Sequence, residues 1–314
     1  VTALEVAGTE PLDPAPVRAR SLWRRLLREP AFVAGAVIVL VMVVAALAAP
    51  LLARWEGQDA TSFHDDLLDS ARGGVPIGRL GGLSGEHWLG VEPGTGRDLF
   101  VRTLYGARIS LGVAVAATAL EVLIGVSVGL AAGLGGRWAA ALLGRLADLT
   151  LAFPQLVLGV ALLAIVPDSW PRPLLLTFVI GLLQWGGTAR ITQAETASLR
   201  TRDYVAAARL AGAGPGRIAR REILPGVAVP VLAYAALLLP QNMISEAALS
   251  FLGVGVQPPT PSWGQMLSSA TTWFRSDPMY VIVPGGLLFL TLLAFTFAAT
   301  SVRRALDPRQ ATLR

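Results

Sequence analysis

Six stretches of roughly 20 residues run almost free of charge through this sequence, and each can carry a helix across the hydrocarbon core of a bilayer. They lie at about 31–52, 107–134, 139–166, 174–188, 224–252 and 279–302. The pattern predicts an all-α integral membrane protein, because a helix satisfies its own backbone hydrogen bonds in lipid and an open strand or loop does not. The 54% hydrophobic content, with 15% charged residues, is too apolar for a soluble chain of 314 residues. The first apolar run ends in Ala46-Leu47-Ala48, a pattern also found at signal-peptide cleavage sites, but it exceeds the roughly 7 to 15 residues of a signal-peptide core. It is read as a retained anchor.

All 26 basic residues are arginine. Without lysine there is no P-loop of the form GxxxxGK[ST], so any nucleotide hydrolysis would fall to a partner; with no Cys, no Lys and both histidines in the loop 53–106, the chain is not expected to be an enzyme. Cysteine is absent and His64 and His87 are the two histidines, which excludes thiolate zinc sites and disulfides. Arg18, Arg20, Arg24, Arg25 and Arg28 precede the first span and, by the positive-inside tendency, place the N-terminal tail (1–30) in the cytoplasm. Alternation then puts the arginine-rich loop after the fourth span and the C-terminal tail (303–314) on the same side. The long loop 53–106 faces outward, its arginines offset by acidic residues. The arginines are expected to meet lipid headgroups, not nucleic acid. Asp65, Asp66 and Asp69 lack the spacing of a calcium loop and read as a solvated turn.

The most informative stretch is the inner loop RTRDYVAAARLAGAGPGRIARREILPG, residues 200–226. Asp203 is expected to cap a short helix through the good helix formers Ala206, Ala207 and Ala208, and Gly212 and Gly214 to break it. Pro215 suits a first helical turn, so a second short helix over 217–222 leads to Leu224-Pro225 and the fifth span. The product is a helical hairpin on the inner membrane face, with small residues for close approach and arginines for acidic partners.

This loop resembles the EAA loop by which permease subunits of ABC importers dock on their ATPases. Ala207, Ala208 and Gly212 fall on the small positions of that motif and Leu224-Pro225 on its closing Leu-Pro; Ala206 replaces its leading Glu, and Glu222 stands before Ile223. HWLGVEPGTGRDLFVRTLYGARISL (87–111), DLTLAFPQL (148–156), EAALSFLGVGVQPPTPSWGQML (246–267) and RRALDPR (303–309) extend the similarity from Trp23 onward. Together they resemble the C-type permease subunit of the dipeptide/oligopeptide/nickel importer family. The resemblance implies a type I permease fold with a five-helix core over 107–302. It also implies a second, homologous permease, two cytoplasmic ATPases that bind ATP and Mg, a substrate-binding protein, and the bacterial cytoplasmic membrane. The expected cargo is a peptide, with a nickel chelate as the alternative; a secondary transporter would rest on Glu121 alone. The docking residues it implies are Ala207, Ala208, Arg209, Gly212, Arg217, Leu224 and Pro225.

Several polar side chains fall inside spans. Glu121, near the middle of the second, must face protein or water, either on the pathway or as a hydrogen-bonded structural contact. Phe153-Pro154-Gln155 is expected to kink the third span, where proline frees a backbone carbonyl, and Phe153 and Gln155 are candidates for the pathway wall. Gln241 and Asn242 suit either a peptide backbone or an interhelical bond. Asp148 reads as helix-end structure or ATPase interface, and Glu246 as packing against the loop that follows it. In that loop, Pro258 to Gly264 reads as a rigid turn with Trp263 as an interfacial anchor. Arg97, Asp98 and Arg102 suit either a lid or dock on the outer face, or a charge-paired solvated loop.

Overall fold

The computed structural model describes residues 24–167 and 169–306. The tail expected over 1–17 and the arginines at 18, 20, 309 and 314 lie outside the described residues. Among the described residues, five helices are long and apolar enough to cross a membrane, or six if one bent pair forms a span.

The first span is α1, Pro30–Leu47, followed by a short α2, Ala49–Glu56. The run expected as one helix to residue 52 breaks at Ala48 because Pro50 has no N–H for the carbonyl of Ala46. α3 spans Leu99–Leu134. It begins eight residues before the expected span because Asp98 caps it, accepting the Val101 N–H at 2.7 Å. At about 1.5 Å per residue α3 is about 54 Å long, far more than the hydrocarbon core needs, and the loop border expected at 106 falls inside it.

The third apolar run is broken. α4, Arg137–Ala152, and α5, Gln155–Ile165, meet at 86° across Phe153-Pro154. Pro154 has no N–H to offer the Thr150 carbonyl, and the expected kink is therefore a full change of direction. α6, Arg172–Leu199, runs eleven residues past the end expected at 188. Its threonines and Arg190 lower the local hydropathy, yet Thr188, Thr192 and Thr196 are buried against α3.

The loop between α6 and the next long helix holds α7, Asp203–Leu210, and α8, Pro215–Arg217, which passes through a π turn, Ile218–Ile223, into α9, Leu224–Phe251. Arg202, not Asp203, occupies the cap of α7, and Asp203 is its first residue, where its charge still suits the positive helix end. No break separates the second hairpin helix from the fifth span. α10, Trp263–Ala270, and α11, Met279–Leu306, complete the chain. A two-stranded antiparallel ribbon, β1 (Leu68–Asp69) and β2 (Val75–Pro76), lies in the loop between α2 and α3.

α3 is the axis of the bundle, packed against α6 along most of its length and against α9, with α1 on α11 at one side. The α3–α6 seam has a visible cause. Gly125, Gly129 and Gly133 repeat every four residues and so share one face of α3, opposite Thr188, Thr192 and Thr196 of α6. A Cβ at Gly129 would lie 2.4 Å from Thr192 Cβ and 2.6 Å from the Ala189 carbonyl oxygen. Only hydrogen fits there.

Candidate functional site

The hairpin of residues 200–226, expected on the cytoplasmic face, is built from residues with two separate tasks. Val205, Ile218, Ile223 and Val227 are buried with Val126, Leu130 and Leu134 of α3 and Leu199 of α6, which seats the hairpin on the inner ends of the axis helices. The Arg200 guanidinium adds a hydrogen bond of 2.9 Å to the carbonyl of Gly133, a group left without a partner by the helix end. α7 closes in a Schellman turn. The Gly212 N–H donates to the Arg209 carbonyl and the Ala213 N–H to that of Ala208, both at 3.0 Å. Gly212 sits at φ +80°, a left-handed conformation that disfavours a side chain, which accounts for glycine at this position.

The other face of the hairpin is uncovered. Ala207, Arg209, Gly212, Arg217 and Pro225 are exposed, Ala208 and Leu224 partly so, and Leu210 is 91% exposed.

Within the membrane, the residues singled out from sequence separate into two places. Glu121 is fully buried between α3 and α9, where the Asn242 amide donates to it at 3.1 Å and to Thr118 Oγ1 at 2.9 Å. Phe153 and Gln155 lie at the α4–α5 break instead. Gln155 lines one cleft with Gln184 of α6 and Ser245 of α9, and the Gln184 amide donates to Ser245 Oγ at 3.4 Å. Phe153 and Gln155 line a second recess with Thr150. Gln241 is exposed one turn below Ser245, whose hydroxyl donates to the Gln241 carbonyl at 3.1 Å. Gln184 and Ser245 were not singled out from sequence; a glutamine in an otherwise apolar run was the available signal. Asp148 accepts from Arg190 Nε at 2.9 Å and from its Nη2, tying α4 to α6.

Residues 125–312 match the family of binding-protein-dependent transport system inner membrane components. The chain belongs to this family. Residues 18–68 also match the N-terminal transmembrane domain of oligopeptide transport permease C. The permease is 34% identical over 290 residues to the dipeptide transport system permease protein DppC of Alkalihalophilus pseudofirmus, which covers 92% of this chain and 90% of that one. It is 34% identical to the glutathione transport system permease protein GsiD of Pectobacterium atrosepticum, covering 92% and 91%. To the di/tripeptide transport system permease protein DppC of Pseudomonas aeruginosa it is again 34% identical, covering 94% and 93%. A solved structure of the MetNI methionine ABC transporter shares the fold, with a TM-score of 0.51 at 20% identity over 65% of this chain and 96% of that one. The chain is thus the permease component of an ABC importer, a pore subunit and not the ATPase.

At the other end of α3, expected to face outward, the permease carries a cap built from buried charge. Arg102, 1% exposed, pairs with Glu92 at 2.5 Å. It also donates to the carbonyls of Ala60 and Pro259, each at 3.0 Å, and to Gln265 Oε1 at 3.4 Å. One guanidinium so joins the outer loop, α3, the proline loop and α10. Asp98 is fully buried and meets His87 Nδ1 at 2.8 Å, while Glu56 accepts the Trp88 N–H at 2.8 Å. The two carboxyls also meet each other. Burial, with Asp98 beside it, pushes Glu56 up to about 7, and burial likewise raises Asp98. Asp98 and Arg102 are therefore neither a mobile lid nor a solvated pair: the fold encloses them because each finds its counter-group inside. Trp263 departs from its expected interfacial place in the same way. It is fully buried, with Nε1 donating to the Thr103 carbonyl at 3.0 Å and Gly106 leaving room for the ring. Glu246 is enclosed beside it and accepts from Ser250 at 2.8 Å.

Proposed function

We propose that this permease imports short peptides, pairing with a second, homologous permease so that the pathway forms between them. An extracytoplasmic binding protein delivers the peptide, and two cytoplasmic ATPases bind and hydrolyse Mg-ATP. The uncovered hairpin carries this reading: Ala207, Ala208, Arg209, Gly212 and Arg217 form the face that meets the ATPase, while Leu224 and Pro225 lead its motion into α9. Closure of the ATPases on ATP moves the hairpin, and the close α3–α6 seam passes that movement on as a rigid body. The chain lies in the bacterial cytoplasmic membrane with both termini in the cytoplasm, in keeping with the arginines that flank α1 and follow α6.

Phe153, Gln155 and Gln241 are assigned to the pathway wall. Glu121, enclosed by Asn242 and Thr118, is assigned to holding α3 against α9. The named relatives transport dipeptides, di/tripeptides and glutathione, which favours a peptide cargo over a nickel chelate. The test is uptake into vesicles holding the complete importer, energised with ATP and supplied with binding protein. Accumulation of a labelled short peptide supports the proposal. Accumulation of a nickel chelate with no peptide uptake overturns the cargo, and peptide uptake driven by a proton or sodium gradient without ATP overturns the mechanism.

A further inference from the structure

The cleft at the α4–α5 break has a chemistry that the importer reading does not by itself require. The cleft is small, about 20 Å³, room for about one water, so a cargo lies across its mouth; its polar lining consists of Gln155, Gln184 and Ser245, set among Leu156, Gly159 and Leu183, with no acidic or basic side chain. Gln241 continues the same face of α9 one turn away. Gln184 lies near the middle of α6, so the cleft is at membrane depth. Among the described residues neither Gln155 nor Gln241 has a side-chain hydrogen-bond partner, and the single bond of Gln184, at 3.4 Å, leaves most of its amide unused. Uncharged amides with unmet donors and acceptors do not belong against lipid tails, where each unmet group is costly. The break itself adds backbone groups of both kinds, because the last carbonyls of α4 and the first N–H groups of α5 have lost their helical partners.

We infer that Gln155, Gln184, Ser245 and Gln241 form a neutral amide rail along the pathway, which binds a passing peptide through its backbone amides and not through its side chains. The assignment rests on the peptide-import reading and names the recognition it uses. A peptide group offers one donor and one acceptor at every residue, and a glutamine side chain is the same amide turned round, so the two pair without either carrying charge. Selectivity for side chains is then left to the delivery protein. The rail is indifferent to the charge of the cargo because it has none of its own.

That indifference is the measurable property. The complete importer, in vesicles with its binding protein, is offered a cationic and an anionic tripeptide that the unaltered protein takes up. Gln184→Glu places a carboxylate on the rail and is expected to shift the ratio of cationic to anionic uptake about tenfold toward the cation, the order of one short-range charge interaction in a poorly hydrated site. Gln241→Glu, at an exposed position with no packing to lose, is expected to shift it in the same sense and decides the matter if Gln184→Glu fails to assemble with its partners. Thr272→Glu, exposed in the loop after α10 and outside the spans, leaves the ratio as it was. An unchanged ratio in an assembled cleft variant, or an equal loss of both peptides, overturns the rail. Failure of the unaltered importer to take up any peptide overturns the cargo reading instead.

Discussion

The charged cap and the 200–226 hairpin lie toward opposite ends of α3 and are made of opposite materials. The cap encloses its charges: Arg102 is 1% exposed and Asp98 and Glu246 are fully buried. The hairpin exposes its charges and encloses only aliphatic residues, with Val205 and Ile223 fully buried and Leu210 left 91% exposed. A buried ion pair tolerates no loss of a partner, since the remaining charge is stranded away from water, whereas an aliphatic seat leaves the opposite surface free for another protein. The difference teaches which end is locked into the fold and which end has an open surface, the one proposed to meet the ATPase. Between them the glycine–threonine seam keeps α3 and α6 at one separation.

Removing the hub of the cap should therefore cost most. Arg102→Ala strands Glu92 and frees two carbonyls, and is expected to lower stability by about 3–5 kcal/mol, read as loss of the folded permease in thermal denaturation in detergent. A wild-type melting curve for this variant would break the contrast. Gly129→Val comes next. A branched side chain where a Cβ already meets Thr192 at 2.4 Å forces the helices apart, at about 1–3 kcal/mol or more, and the paired reduction Thr192→Gly should restore part of it.

A smaller effect is expected from pH. Glu56 is raised by burial from 4.5 to about 7, so the folded cap holds this proton more tightly than the unfolded chain. Its contribution is fully present below about pH 4.5 and is lost as pH rises through about 7. Hydrogen exchange in the loop carrying His87 and Trp88 should accordingly quicken between pH 6 and about 8, and Glu56→Gln, which keeps an uncharged group there, should flatten that dependence. Least of all is expected from Leu210→Ser, within about 0.5 kcal/mol of wild type in stability because its side chain touches little of the chain. It should nevertheless weaken recovery of the ATPase with the permease, which sharpens the contrast between a residue of the fold and one of the interface.

Much of this was legible in the sequence. The spans follow from apolar length, and the hairpin from Ala206 to Pro215, where small residues, glycine and proline each have a local cause. The α4–α5 break was visible as Phe153-Pro154, though its size was not, because proline sets where a helix fails and its neighbours set the angle. The seam was missed although Gly125, Gly129 and Gly133 stand at a regular spacing; hydropathy registers apolar length and is blind to which face is small. The extension of α6 was missed for the same reason, since threonine lowers hydropathy whether or not a glycine covers it. The cap was illegible in a stronger sense. Arg102 stayed open between a lid or dock and a charge-paired solvated loop, and Glu92 was one acidic residue of that loop, because burial depends on partners as distant as Pro259 and Gln265, and nothing local announces them.

The absence of cysteine makes the central contrast directly measurable, since one introduced thiol is unique in the chain. Ala207→Cys and Val205→Cys can be compared in the assembled importer by cross-linking to its ATPase with a short thiol-to-amine reagent. The account predicts that Ala207→Cys joins the ATPase in high yield and that Val205→Cys, turned into the aliphatic seat, does not. Cross-linking from Val205→Cys but not from Ala207→Cys, or from neither in a complex that still hydrolyses ATP, would contradict the assignment of the hairpin's open face as the docking surface.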